Sequence, residues 1–179
     1  MLKKAISMLI LALACCFAHA SVSFHAGDES FEVGSGTFLH CFFSTISANL
    51  EPKGWGSRFP ILMNKLYQGK VNVKELGELK KEVQKVREEL RPLPPSKVVW
   101  DIEDRGKQPP WGNDIAPTIT NLSNYFVTSD GKDMFEVFFK AISKAKKKRL
   151  LLLLNKSNSS LNPEPQQRAA ASRHMLRAG

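Results

Sequence analysis

Apolar positions recur along this chain at two different periods, and the periods divide it into elements. Between Thr37 and Leu50 the residues Phe38, Leu39, Phe42, Phe43, Ile46 and Leu50 fall three and four apart, the spacing that gathers side chains on one face of a helix. Val73 to Leu90 repeats the pattern with Leu76, Leu79, Val83, Val86 and Leu90, above a face rich in Glu and Lys. Lys132 to Lys147 repeats it with Met134, Phe135, Phe138, Ile142 and Ala145. Three helices are therefore predicted, with a shorter one over Ile61–Tyr67 closed by Gly69.

Elsewhere the period is two, the signature of a strand with one buried face. Val22/Phe24 and Phe31/Val33 flank Gly27-Asp28 and predict a hairpin within Ser21–Val33. Val98, Trp100 and Ile102 predict a strand over Val98–Glu103, and Tyr125–Thr128 a short one. Leu150–Leu154 suits a buried strand or a continuation of the helix before it, because periodicity does not separate the two over five residues. The fold class that follows is α+β: one compact domain in which a small sheet with an N-terminal hairpin packs against several helices.

Regular structure has to stop after Glu103. Gly106, Pro109, Pro110 and Gly112 follow within nine residues, and neither proline nor glycine sustains a ladder. The strand would thus deliver Asp101, Glu103 and Asp104 to a stiff loop that carries Trp111. Loops held by a rigid scaffold are where binding residues concentrate. For Trp55 and Trp100 core packing is expected; Trp111 suits either an exposed anchor or a lid folded back over the core.

Charge changes the picture by its distribution. The 179 residues carry a formal net charge of +9, yet residues 21–139 hold more acids than bases. The excess sits in Lys3 and Lys4 and in the segment from Lys140 onward, where Glu164 is the lone acid. A nucleic-acid partner is not expected, because it wants a basic stripe on the folded body itself. Attachment of the Lys140–Arg149 run to a membrane or nucleic acid would instead be salt-sensitive.

Residues 1–20 read as a signal peptide: Lys3 and Lys4, an apolar run from Ala5 to Ala18, then Ala18-His19-Ala20 at the small-x-small cleavage spacing. The run is short of the ~20 residues a spanning helix needs. Membrane contact would then be transient, and the expected location is periplasmic or secreted, or cytoplasmic if the signal is not functional. Cleavage after Ala20 would remove Cys15 and Cys16 and leave Cys41 without an internal disulfide partner. Set among Phe38, Leu39, Phe42 and Phe43, Cys41 reads as a small buried hydrophobe. The domain is predicted over 21–154, followed by a disordered tail over 155–179 rich in Asn, Ser, Pro and Gln.

Few residues suggest catalysis. His25, His40 and His174 remain beyond the signal, none at zinc-ligand spacing, and His40 reads as a packed histidine. No cofactor or metal is expected. Gly34-Ser35-Gly36 lacks the lysine of a phosphate loop and reads as a turn. The chemical candidate is the pair Asp101 and Glu103, which on one strand face would stand about 6–7 Å apart, within the range of a glycosidase pair. An exported carboxylate-dependent hydrolase acting on a cell-wall polymer is the alternative this supports. Arg105 and Lys107 stand close enough to neutralise the pair.

Six blocks in order, G-S-G-T-F-L-H (34–40), W-G-S-R-F-P (55–60), L-Y-Q-G (66–69), V-V-W-D-I-E-D (98–104), Q-P-P-W-G (108–112) and N-Y-F-V-T-S-D-G (124–131), resemble the immunity protein 70 family of bacterial polymorphic-toxin systems. The resemblance implies a small non-enzymatic protein that binds and neutralises a cognate protein toxin. It brings no set of contact residues. From the loop itself, Trp111 is the expected anchor, flanked by Pro110 and Gly112, with Asp101, Glu103 and Asp104 as electrostatic contacts to a basic toxin surface. The export signal and the basic, leucine-rich C-terminal end depart from what the resemblance leads one to expect.

Overall fold

The computed structural model describes residues 21–156. The signal-peptide assignment to residues 1–20, and residues 157–179 of the expected tail, lie outside the described residues; Asn155 and Lys156, expected in that tail, belong instead to the last strand. Strand β1 (Ser21–Ala26) turns at Gly27-Asp28 into β2 (Glu29–Ser35). Gly27 takes φ +66°, the positive value that a two-residue hairpin turn needs. Two more antiparallel strands, β3 (Lys70–Val71) and β4 (Leu152–Lys156), complete a sheet of order β2-β1-β4-β3. The fold is α+β: of its three long helices, the first and third pack on the sheet, and the second packs against those two.

The helices form where periodicity predicts them, the first and third started by a side chain that satisfies free backbone N–H groups. Helix α1 (Gly36–Leu50) begins with Ser35, whose hydroxyl accepts from Phe38 N at 3.1 Å. Helix α2 (Leu76–Leu90) follows a 3₁₀ turn over Val73–Glu75, closed by an Asn72/Glu75 capping box. Helix α3 (Met134–Lys148) begins with Asp133, which accepts from Phe135 N and Glu136 N. Lys146, Lys147 and Lys148 crowd its last turn, where the carbonyl end of the dipole favours cations. Arg149 then takes a left-handed φ of 53° and turns the chain back into β4.

Phe42 on α1 centres the core. Its ring lies 5.0–5.6 Å from those of Phe43, Phe126, Phe135 and Phe138, mostly edge-to-face. Val22, Phe24 and Ala26 point into this core from β1, while Ser23 and His25 face the other way. Leu150–Leu154 resolves into a strand displaced by two residues and continuing to Lys156. Only alternate leucines are covered: Leu152 and Leu154 are buried, Leu151 and Leu153 exposed. Among the described residues no helix covers the outer sheet face, and the expectation of a buried strand is corrected.

Two further expectations change. Val98–Glu103 is not a strand. Its backbone is instead satisfied by polar side chains of α1. Thr45 Oγ1 accepts from Val99 N (3.0 Å) and donates to Val99 O (3.3 Å), Ser44 Oγ accepts from Ile102 N (3.1 Å), and Asn49 Nδ2 donates to Lys97 O (3.1 Å). Hydroxyls supply the partners that a neighbouring strand would have supplied. Tyr125–Thr128 likewise forms a single antiparallel bridge between Val127 and Asp133, because Thr128 bonds within its own turn to Lys132. The predicted helix over Ile61–Tyr67 forms as a π-helical turn, Ile61–Leu66.

That turn is held by a carboxylate the periodicity does not reveal. Glu82, on the solvent-rich sequence of α2, is buried and accepts from Ile61 N (3.3 Å) and Leu62 N (2.7 Å). Glu51 does the same for the preceding loop, accepting from Gly56, Arg58 and Phe59 N–H groups. Removing a buried acceptor leaves its donors unsatisfied, so Glu82→Ala should lower stability by about 1–3 kcal/mol in urea denaturation. Burial raises the Glu82 pKa from 4.5 against the two backbone N–H bonds. The folded state therefore holds this proton more tightly than the unfolded chain, and the associated stability is lost as pH rises through the raised value. Urea midpoints measured upward from pH 4.5 should fall less steeply for Glu82→Gln than for the parent.

Candidate functional site

Pinned to α1 at Val99 and Ile102, the chain from Asp101 to Gly112 folds across the N-terminal half of that helix. Asp101 organises its start. Oδ1 accepts from Glu103 N (3.0 Å) and Asp104 N (3.3 Å), and Oδ2 receives Lys107 Nζ at 2.6 Å. Burial works against ionisation of Asp101, but Lys107, Glu103 and the nearby His40 outweigh it and hold the carboxyl well below the usual carboxylate range. Asp104 repeats the turn chemistry, accepting from Gly106 N at 3.1 Å. These bonds explain why Asp101 is largely covered while Glu103 and Asp104 remain exposed.

His40 rises from α1 into the same cluster. Its Nε2 lies 3.1 Å from Glu103 Oε2 and 3.5 Å from Asp101 Oδ1, and its Nδ1 lies 3.1 Å from the Tyr67 hydroxyl. Tyr67 is pushed up to about 12, by burial first and then by the charges of Glu103 and Asp101. The expectation of a simply packed histidine is thereby corrected: His40 is half-buried and faces two carboxylates.

Further along, Pro109 is buried and Pro110 exposed, and Gly112, at φ +55°, closes a turn by donating its N–H to Pro109 O at 2.9 Å. Trp111 between them sits at the boundary, 36% exposed. Its Nε1 donates to the Tyr125 hydroxyl at 2.9 Å, and its ring meets Trp100 edge-on at 5.4 Å and Phe38 at 6.2 Å. One face is thus seated and the other open. Phe38, Trp100, Trp111, Ile115, Tyr125 and Val127 line a shallow groove of about 550 Å³, with Asp114 on its border. Asp101, Glu103 and Asp104 are not among its lining residues; the acids stand beside the aromatic groove rather than inside it.

Trp100 and Trp55 are half-buried against the core, as expected. Trp55 stacks on Phe43 and donates Nε1–H to Met63 O at 3.0 Å. The Cys41 thiol is buried, and burial pushes it up to about 12, which leaves no thiolate for nucleophilic chemistry. His25 engages Ser23 at 2.8 Å.

A small α+β domain thus presents an aromatic groove with an acidic border and holds its one described cysteine inert. The chain belongs to the immunity protein 70 family, whose model matches residues 21–154. Membership of an immunity family implies binding of a cognate toxin. No curated protein and no solved structure matches the chain.

The placement of this whole segment depends on Thr45. Its hydroxyl is buried and satisfies both polar groups of Val99. Thr45→Val should therefore cost about 1–3 kcal/mol and raise amide hydrogen exchange at Val99 and Ile102 more than at core amides of α2.

Proposed function

We propose that this protein neutralises a cognate bacterial toxin by binding and occluding it, and transforms no substrate itself. The observation that carries the reading is the half-seated Trp111, open on one side and fixed on the other by Tyr125, Trp100 and Phe38. A pre-positioned aromatic loses little side-chain freedom on binding and serves as a central anchor. Pro110 and Gly112 hold its turn. Glu103 and Asp104, both exposed, add steering toward a basic toxin surface, while Asp101 acts mainly by shaping the loop.

A polymorphic-toxin setting, with the toxin encoded beside this chain, is part of the proposal. So is export by residues 1–20 to the periplasm or beyond, which would place the neutralised toxin in the envelope. Mass spectrometry of the periplasmic fraction should find a chain beginning at Ser21; a cytoplasmic chain beginning at Met1 would refute the export step. The hydrolase alternative draws less support. Asp101 is engaged by Lys107, both acids approach His40, and the groove beside them is lined mainly by apolar groups.

The test uses the toxin encoded by the neighbouring reading frame, with isothermal titration of the two purified proteins for affinity and surface plasmon resonance for the rates. Trp111→Ala should weaken binding by at least about 1 kcal/mol, roughly fivefold, and Asp104→Ala should reduce the association rate with a smaller effect on dissociation. Unchanged affinity in a folded Trp111→Ala protein would remove this surface from the interface.

A further inference from the structure

We propose that His40, Asp101 and Glu103 form a binding site for a first-row divalent transition cation, zinc being the probe that best matches the donors. The three side chains come from two elements. His40 projects from the N-terminal half of a regular helix, and Asp101 and Glu103 from the loop laid across it. One donor atom from each lies within 4.8 Å of the others, and the described residues offer this one such group of three or more.

The spacing fits a shared cation. Ligand atoms about 2.0–2.2 Å from a metal stand about 2.8–3.1 Å apart at right angles and about 3.3–3.6 Å apart in a tetrahedron. Nε2 of His40 lies 3.1 Å from Glu103 Oε2 and 3.5 Å from Asp101 Oδ1, so both edges through the imidazole are already of coordination length. Glu103 is exposed, and a rotation of its side chain can adjust the remaining edge while leaving a solvent-facing position for water.

The surroundings match a ligand set as well. Nδ1 of His40 meets the Tyr67 hydroxyl at 3.1 Å. With Nε2 bound to metal, Nδ1 carries the proton and donates it to that oxygen, the outer-shell arrangement that fixes the tautomer and orientation of a ligating histidine. Oδ1 of Asp101 is oriented by the N–H groups of Glu103 and Asp104. Lys107 binds Asp101 through the other oxygen, Oδ2, so the ammonium does not occupy Oδ1. It lowers the local negative charge and opposes cation uptake. An imidazole with two carboxylates prefers zinc and its neighbours; magnesium and calcium favour all-oxygen sites.

A bound cation would tie α1 directly to the loop that carries Trp111. The inference does not rest on toxin neutralisation, because its readout is metal uptake by the protein alone. Purified protein stripped with chelator is titrated calorimetrically with zinc chloride, and in parallel with magnesium chloride. One zinc per chain is expected, with no comparable magnesium signal. His40→Gln should abolish that uptake and Glu103→Gln weaken it at least tenfold. Tyr67→Phe should weaken it by about 10–100-fold through the outer shell. Lys107→Met should tighten it, an opposite-sign result that a misfolded variant could not give. The Glu103→Gln change lies at an exposed side chain, and circular dichroism checks that each variant is folded. Absence of zinc uptake, or uptake unchanged in folded His40→Gln and Glu103→Gln proteins, would overturn the assignment.

Discussion

The arrangement of this molecule turns on a hydroxyl in the middle of α1. Thr45 Oγ1 takes the N–H of Val99 and returns a hydrogen bond to the same residue's carbonyl, with Ser44 and Asn49 doing comparable service on either side. Through these bonds an irregular segment is anchored on a helix without joining the sheet. The surface proposed to face the toxin hangs from that attachment: the Asp101 turn, the acids, the Pro109–Gly112 turn and the seated indole. An unsatisfied backbone pair in so covered a place would cost more than a typical hydrogen bond contributes, which makes the attachment specific as well as stable.

Helix α1 accordingly works in two directions. One side presents Phe42 and Phe43 to a cluster of aromatic rings drawn from β1, α3 and the chain around Phe126. The other presents Ser44, Thr45, Asn49 and His40 to the loop. The aromatic side fixes where the helix lies, and the polar side transmits that position to the loop. The buried carboxylates of Glu51 and Glu82 play the same part for the 52–66 segment, supplying acceptors where helix geometry leaves N–H groups bare.

Sequence periodicity was most informative where an element buries its own stripe. Helices α1, α2 and α3 and the Gly27 hairpin lie within three residues of the predicted bounds, because Phe38 to Leu50, Leu76 to Leu90 and Met134 to Ala145 each meet the core through one face. The prediction misled at Val98–Glu103. There the alternation of Val98, Trp100 and Ile102 resembles a strand, but the backbone partners are side chains fifty positions away that a pattern shows only as polar residues on a helix. The cluster around His40 was hidden for the same reason: positions 40, 67, 101 and 103 become neighbours only once that loop lies down. Trp111, expected either as anchor or as lid, proves to be seated on one face and open on the other.

The sheet order carries a consequence for how the fold is reached. Strand β1 lies between β2, its immediate successor, and β4, which is the last described element. The hairpin can form as soon as it emerges, but its second edge stays vacant until nearly all of the described chain is available, and closing so long a connection is slow compared with local helix formation. A chain made only as far as α3 thereby lacks the strand that completes its sheet.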